Sequence, residues 1–404
     1  MLCVVLGTLF LSLQAKTLTL EECLSHAMDN NPGLKSARKK IDVAEARRGA
    51  FLDLPNTGIE LTQSTLEGAG MDNGLTFSQE FEFPTVYAAR RKVLKAEETI
   101  AREEYGETAS RIRGEVMALF YSLAYQKSRA ALMRRNLVFY SDFSKVSRVR
   151  FDVGETSRLE LLNAERMMAK IEAMIEDTDV SILTLRMQLA KAIGESSPVD
   201  IADDALTVIE FEDSSLEFDA ASTFNSRILN ARIALTEKNT FLARQEFLPS
   251  FSLSATSQLV IKSFNPYHVD RERFRNGDFM GFSVGVTVPV FFSGKRAQLA
   301  AAMKETEYAR LQLEDQQLIQ AMEFEELKND LALAGKRLDY YEKTALGQAD
   351  EMKRLAKVSY DLGEIDYLEY MQNIQSSMEI WLEYFDMIEK FNQTLIKIQT
   401  LKSN

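Results

Sequence analysis

Few side chains in this sequence are able to ligate a metal or attack a substrate, and they are not spaced for it. The 404 residues include two histidines, His26 and His268, neither with a second ligand at metal spacing. Of two cysteines, Cys3 lies in an apolar leader and Cys23 is then a lone thiol on a helix, so no disulfide framework arises. There is no phosphate-cradling glycine loop and no nucleophile motif. Sixteen methionines invite a copper reading, but Met133, Met168, Met352 and Met378 fall on helix seams, where methionine fills packing gaps. His268 falls in a charged outer loop and reads as a surface residue. The chain is therefore expected to be no enzyme and to hold neither cofactor nor metal.

The polar residues that do form a pattern are carboxylates and hydroxyls alternating with apolar side chains. Leu75, Phe77, Phe81 and Phe83 alternate with Thr76, Ser78, Glu80 and Glu82, the period of a half-buried strand. Phe282, Val284, Val286, Val288 and Val290 alternate in the same way with Ser283, Gly285 and Thr287. The partner strands are Gly58 to Leu66 and Ser250 to Ile261, which gives strand pairs over 57–83 and 250–290. Leu54-Pro55 and Leu248-Pro249 open these stretches, and Pro84 and Pro289 close them. A short loop is expected around Gly68 to Gly74 and a longer charged one from Lys262 to Phe279. The strands approach the roughly 9–11 residues that cross a bilayer at a tilt. With Glu60, Glu80 and Glu82 on the polar face, that face should line water and the other should meet lipid.

Helices must position these strands. Residues 1–15 read as a signal peptide, an apolar run from Leu2 to Leu13 with cleavage near Ala15. Thr19 and Glu22 form a capping box for a helix ending near Asn30-Asn31, and Pro32 starts another carrying Leu34, Ala37, Ile41 and Ala44. From Val86 to about Arg150 there is no proline. Ile112, Val116, Leu119, Leu123, Ala130, Met133, Leu137 and Tyr140 keep a coiled-coil repeat there. At about 1.5 Å per residue such a helix approaches ~100 Å. The chain turns at Phe151 to Glu155 and returns on Leu161, Ala164, Met168, Ile171, Ile175, Ile182, Leu185 and Leu189.

The pattern then repeats. After an acidic connector, 195–216, a helix over 222–247 leads to the second strand pair. A long helix follows on Leu327, Leu331, Ala334, Leu338, Tyr341, Ala345, Met352 and Leu355, turns at Tyr360 to Glu364, and returns on Ile374, Met378, Trp381, Phe385, Ile388 and Leu395. Two structural repeats are expected, 16–216 and 217–404, each with a short helix, a strand pair and a long hairpin (86–194 and 292–401).

With 48 basic and 60 acidic residues and no basic cluster interleaved with aromatics, a nucleic-acid partner is not expected. No run reaches the ~18 apolar residues of a membrane helix. If the chain spans a membrane, strands do it, and four cannot close a barrel without leaving edge groups unsatisfied at several kcal/mol each. Self-association to eight or twelve strands resolves this, and the larger ring leaves room for a conduit.

The duplicated strand pairs between prolines, the heptad helices and the paired Asp-x-Gly turns resemble the TolC-like outer membrane efflux proteins. The most specific motifs are Asp152-Val153-Gly154-Glu155 with Leu159-Glu160, Asp361-Leu362-Gly363-Glu364 with Leu368-Glu369, and Val288-Pro289-Val290-Phe291 before Gly294-Lys295-Arg296. The resemblance implies a mainly α fold with a transmembrane β part: a homotrimer whose twelve-stranded β-barrel in outer-membrane lipid continues into a periplasmic α-helical tunnel. It implies an exit duct for small-molecule or metal-ion cargo, served by a periplasmic adaptor (membrane fusion protein) and an inner-membrane pump, with a resistance-nodulation-division pump preferred. A type I protein-secretion channel is the alternative within the family, and a periplasmic coiled-coil scaffold or adaptor the alternative outside it. By the same resemblance the two Asp-x-Gly turns contact the adaptor. Glu160, Glu369, Tyr360 and Gln372 take the positions of the periplasmic aperture, with Tyr360 and Glu160 in its lock. The family places a base where this chain has Ile365 and a second acid at Gln372, which implies a looser lock and a weaker cation effect at the mouth.

Overall fold

The computed structural model of the protein describes residues 16–66, 70–202, 205–211, 216–260 and 280–402. The expected signal peptide, the charged loop of the second strand pair and His268 lie outside these residues. In chain order the elements begin with β1 (Lys16–Leu18), α1 (Leu20–Asn30), α2 (Pro32–Arg47), β2 (Gly58–Leu66) and β3 (Gly70–Phe81). The hairpin α3 (Pro84–Asp152) and α4 (Arg158–Ile193) follows, then β4 (Val199–Ile201), α5 (Phe224–Gln245), β5 (Ser250–Val260) and β6 (Met280–Thr287). The chain closes with α6 (Ser293–Tyr340), a π turn (Tyr341–Ala345), α7 (Leu346–Asp361) and α8 (Tyr367–Lys402).

Local chemistry accounts for the boundaries. The Glu22 amide donates to the Thr19 hydroxyl at 3.3 Å while the Thr19 amide donates to the Glu22 carboxylate at 2.8 Å, the reciprocal cap that opens α1. Pro32 and Pro84 stand first in α2 and α3, where no amide is needed. Helix α4 stops at Gly194, whose φ of +77° is left-handed. A Cβ there would lie 2.5 Å from the Asn30 carbonyl oxygen, and Asn31 donates to the Ala192 carbonyl at 2.7 Å. Only glycine lets the α1–α2 junction sit this close to the end of α4.

The contacts divide the chain into two compact units, Arg38–Glu104 with Asn225–Gln316, and Met1–Ala37 with Tyr105–Phe224 and Gln317–Asn404. The first contains an antiparallel sheet in the order β2-β3-β5-β6. Its register stacks the two patterns cleanly. Ile59, Phe77, Ala255 and Phe282 share one row, and Phe81, Phe251 and Val286 another on the same face. On the opposite face Gly58, Ser78, Ser254 and Ser283 share a row, as do Glu60, Thr76, Thr256 and Gly281. The apolar face is uncovered: Leu61 is 72% exposed, Phe282 75% and Val284 77%. Two boundaries differ from expectation. Strand β3 begins at Gly70, since Gly70 to Asn73 pair with Gln63 to Leu66, which shortens the expected 68–74 loop. Strand β6 ends at Thr287, because Pro289 has no amide to give a ladder, so Val288 and Val290 lie past it.

Helices of this unit meet through charge. Glu98 accepts from both Arg48 and Arg102 at 2.9 Å, Arg232 reaches Glu104 at 3.3 Å, and Arg310 donates to Glu237 at 2.8 Å. Apolar cores lie in the other unit. One packs Cys23, Ala27 and Leu34 against Ile112, Val116, Leu123, Leu189 and Ile193. A second joins Met133, Tyr140, Ile171 and Ile175 to Ile374 and Met378, and a third joins Phe324, Leu331 and Leu338 to Ile388 and Leu395. The parallel pair β1–β4 closes the first of these cores. The expected seams hold until the π turn. Beyond it Ala349 and Ala356 are buried while Leu355 is 48% exposed, so Leu355 is not a seam residue. A π turn inserts one residue into the helical repeat, and the seam moves by one. On α4 the buried methionine is Met167, with Met168 packed only at the edge.

Candidate functional site

The two Asp-x-Gly turns share one hydrogen-bond pattern. Gly154 (φ +80°) donates to the Phe151 carbonyl at 3.0 Å and Glu155 to Arg150 at 2.8 Å. Gly363 (φ +73°) donates to Tyr360 at 3.0 Å and Glu364 to Ser359 at 2.8 Å. This is the Schellman closure, and it needs a residue free to take positive φ. Three residues beyond each glycine a polar side chain starts the returning helix. Ser157 accepts from the Glu160 amide at 3.2 Å and Asp366 from the Glu369 amide at 2.9 Å. Glu160 and Glu369 are thus third residues of their helices, where an acid suits the helix dipole.

Their side chains differ in surroundings. Glu160 is half-buried: the Thr156 hydroxyl donates to one oxygen, and the Arg150 guanidinium lies 3.5 Å from the other. Arg150 also donates to the Tyr360 hydroxyl at 3.4 Å. The Tyr360 ring stacks on Tyr370 with centroids 4.7 Å apart and planes 6° apart. The structure therefore brings Glu160 and Tyr360 together through a residue the sequence reading missed. Its signal was available, since Arg150 is the basic residue in the last turn of α3, four before the tip glycine. Glu369 and Gln372 are exposed and stand outside this cluster.

Aromatics pack behind Arg150. Phe143 meets Tyr367 at 3.9 Å between centroids and lies 6.2 Å from Tyr360, while Phe139 packs edge-on to Tyr140 and Tyr370. Burial, and then the charge of Glu379, pushes the Tyr140 phenol up to about 12. Burial likewise raises Tyr367. These phenols stay neutral at physiological pH, so Arg150 and Glu160 supply the charge of the cluster.

At the turns Asp152, Val153, Gly154, Glu155, Asp361, Leu362, Gly363 and Glu364 are all exposed. Val153 and Leu362 occupy equivalent positions at 65% and 68% exposure, and so do Leu159 and Leu368 at 69% and 51%. Each turn offers solvent the same small apolar surface. The two remaining candidate ligands are otherwise engaged. His26 lies 3.6 Å from Glu195 and 3.3 Å from the Lys16 ammonium, and Cys23 is fully buried, its thiol pushed up to about 11 by burial and by Glu22.

Residues 23–195 match the outer membrane efflux protein family. Over 396 residues the chain is 19% identical to the cobalt-zinc-cadmium resistance protein CzcC of Cupriavidus metallidurans, covering 96% of this chain and 90% of that one. Its fold superposes on the outer membrane protein VceC of Vibrio cholerae with a TM-score of 0.77 at 16% identity, covering 95% and 96% of the two chains. A membrane protein from Pseudomonas aeruginosa gives a TM-score of 0.80 at 16% identity, covering 96% of this chain and 91% of that one. The chain thus shares the fold of these outer membrane proteins over nearly its whole length, and its residues 23–195 resemble the outer membrane efflux protein family.

Proposed function

We propose that the protein is the outer-membrane exit duct of a tripartite efflux system, a passive conduit and not an enzyme. The observation that carries this reading is the four-stranded sheet. One face is apolar and uncovered, the other carries hydroxyls and carboxylates, and the outer edges of β2 and β6 have no strand partner among the described residues. In lipid such edges cost several kcal/mol per unpaired group. Copies of the chain joined edge to edge satisfy them, place the apolar face in lipid and the hydroxyl face on water. Three copies give twelve strands and a bore wider than its own side chains.

Each duplicated half then supplies one strand pair, one long hairpin and one tip. The exposed tips reach toward a periplasmic adaptor, and the pump behind it is of the resistance-nodulation-division type. Arg150, Glu160 and Tyr360 act as the lock of a mouth closed at rest, with Glu369 and Gln372 lining the constriction. The cargo is a small molecule or a metal ion; the relative's name, a cobalt-zinc-cadmium resistance protein, favours the metal.

The test is fractionation followed by reconstitution. A heat-modifiable oligomer in outer-membrane fractions that forms conducting units in planar bilayers supports the reading. A detergent-independent, water-soluble protein would overturn it in favour of a scaffold or adaptor.

A further inference from the structure

The polar face of the sheet has a narrow chemistry. None of β2, β3, β5 and β6 contains a lysine, arginine or histidine. Two pairs of hydroxyls there engage one another: Thr76 and Thr256 lie 3.2 Å apart, Ser254 and Ser283 2.7 Å. Two of the glycines there stand where a Cβ would crowd a serine hydroxyl. A Cβ on Gly58 would meet the Ser78 hydroxyl at 2.4 Å, and one on Gly285 the Ser252 hydroxyl at 2.3 Å. Charge on this face comes from Glu60, in the row of Thr76 and Thr256, and from Glu80, in the row of Ser252 and Gly285, while Asp72 takes a register position on the same face in the row of Ser64 and Val260. Glu60 and Glu80 are exposed. Glu82, just past the strand, is already neutralised by Arg90 at 2.7 Å.

We propose that Glu60 and Glu80 make the β-sheet part of the duct a cation-preferring wall, suited to small hydrated cations rather than amphipathic organic molecules. The proposal rests on the duct reading above. A bulky apolar cargo is held by aromatic and aliphatic side chains, and outside the two end rows that contain Leu66 and Val260 this face offers none. It offers short hydroxyls that leave a cation's hydration shell intact, and fixed negative charge that raises local cation concentration. Glu60 and Glu80, repeated around a closed ring, form charged belts at different depths, and Asp72 stands in a further row of the same face. No basic side chain on the strands offsets them.

Fixed wall charge acts over a Debye length, which is about 30 Å at ~0.01 M salt and about 10 Å at ~0.1 M, so the preference should be strongest in dilute electrolyte. The experiment measures reversal potentials of the full-length protein in planar bilayers under a potassium chloride gradient. The comparison is among the native protein, the double variant Glu60→Gln with Glu80→Gln, and Glu369→Gln at the mouth. The expected result is a cation-preferring native channel whose cation-to-anion permeability ratio falls at least about threefold in the double variant at low salt, with single-channel conductance otherwise retained. Glu60→Lys with Glu80→Lys should turn the preference toward anions. A double variant that conducts with an unchanged ratio overturns the proposal, as does a preference abolished by Glu369→Gln alone. Native protein that forms no conducting unit overturns the duct reading and this proposal with it.

Discussion

Tyr360, at the end of α7, stacks face to face on Tyr370 of α8, centroids 4.7 Å apart and planes 6° apart, with its hydroxyl turned toward Arg150. Ring and hydroxyl therefore do separable work. Tyr360→Phe keeps the stack and gives up a hydrogen bond of 3.4 Å, so thermal stability should change by less than about 1 kcal/mol. Glu160→Ala removes the carboxylate that Arg150 faces and leaves the guanidinium in place. Its effect should be functional. Resting conductance in planar bilayers should rise in Glu160→Ala and, to a smaller extent, in Tyr360→Phe; unchanged conductance in both would leave the lock without support.

Asn392 should be among the costliest single polar positions. It is fully buried, its side-chain oxygen accepts from the Ile209 amide at 2.9 Å, and its nitrogen donates to the Thr207 carbonyl at 2.8 Å. One side chain thereby satisfies both backbone groups of an extended strap whose Leu206, Val208, Ile209 and Phe211 pack on the core of α6 and α8. Asn392→Ala strands that donor and acceptor and should cost about 2–3 kcal/mol. Limited proteolysis should then cut within 205–211, where the native protein should resist, and melting should fall in parallel.

This strap marks where the sequence stopped being legible. Thr19 and Glu22, the tip glycines and the heptad seams were readable because each is set by neighbours a few residues away. The connector reads as acidic and pattern-breaking, yet its apolar residues are held by Asn392, more than 180 positions on, and no local rule announces that. The π turn at Tyr341–Ala345 is hidden in the same way: the heptad runs through it in the sequence, and only the buried Ala349 and Ala356 reveal the slip. Glu160 and Tyr360 were found through a family pattern. Arg150, which joins them, was not, because a basic residue ending a helix has an ordinary explanation.

Glu389 gives a pH dependence of known sign. Burial raises its carboxyl above the ordinary range, the Ser122 hydroxyl and Gln393 amide pull it down by less, and the charge of Asp386 adds to the rise. One oxygen accepts from Ser122 and Gln393, while the other is buried without a hydrogen-bond partner. A carboxyl whose folded value lies above its unfolded one loses stability as pH rises between the two, from about 4.3 upward. Glu389→Gln carries no such penalty and keeps an acceptor for Ser122. Melting curves should place the variant above the native protein at about pH 7 and level with it near about pH 4. A native protein that is the more stable at neutral pH would mean that the ionised carboxylate is favoured where it stands.

Neighbouring residues of β6 should respond in opposite ways to one substitution. Phe282 is 75% exposed on the apolar face, in the row of Ile59, Phe77 and Ala255. Ser283 lies on the hydroxyl face, 2.7 Å from Ser254. If the apolar face meets lipid, a lysine at Phe282 puts charge into hydrocarbon at about 2–4 kcal/mol per chain, a cost that falls toward the membrane surface. A lysine at Ser283 meets water and forfeits one hydroxyl pair. Phe282→Lys should abolish the heat-modifiable oligomer in outer-membrane fractions, and Ser283→Lys should retain it and lower cation preference. Equal tolerance at both positions would mean that neither face is in lipid; the reverse order would turn the sheet inside out.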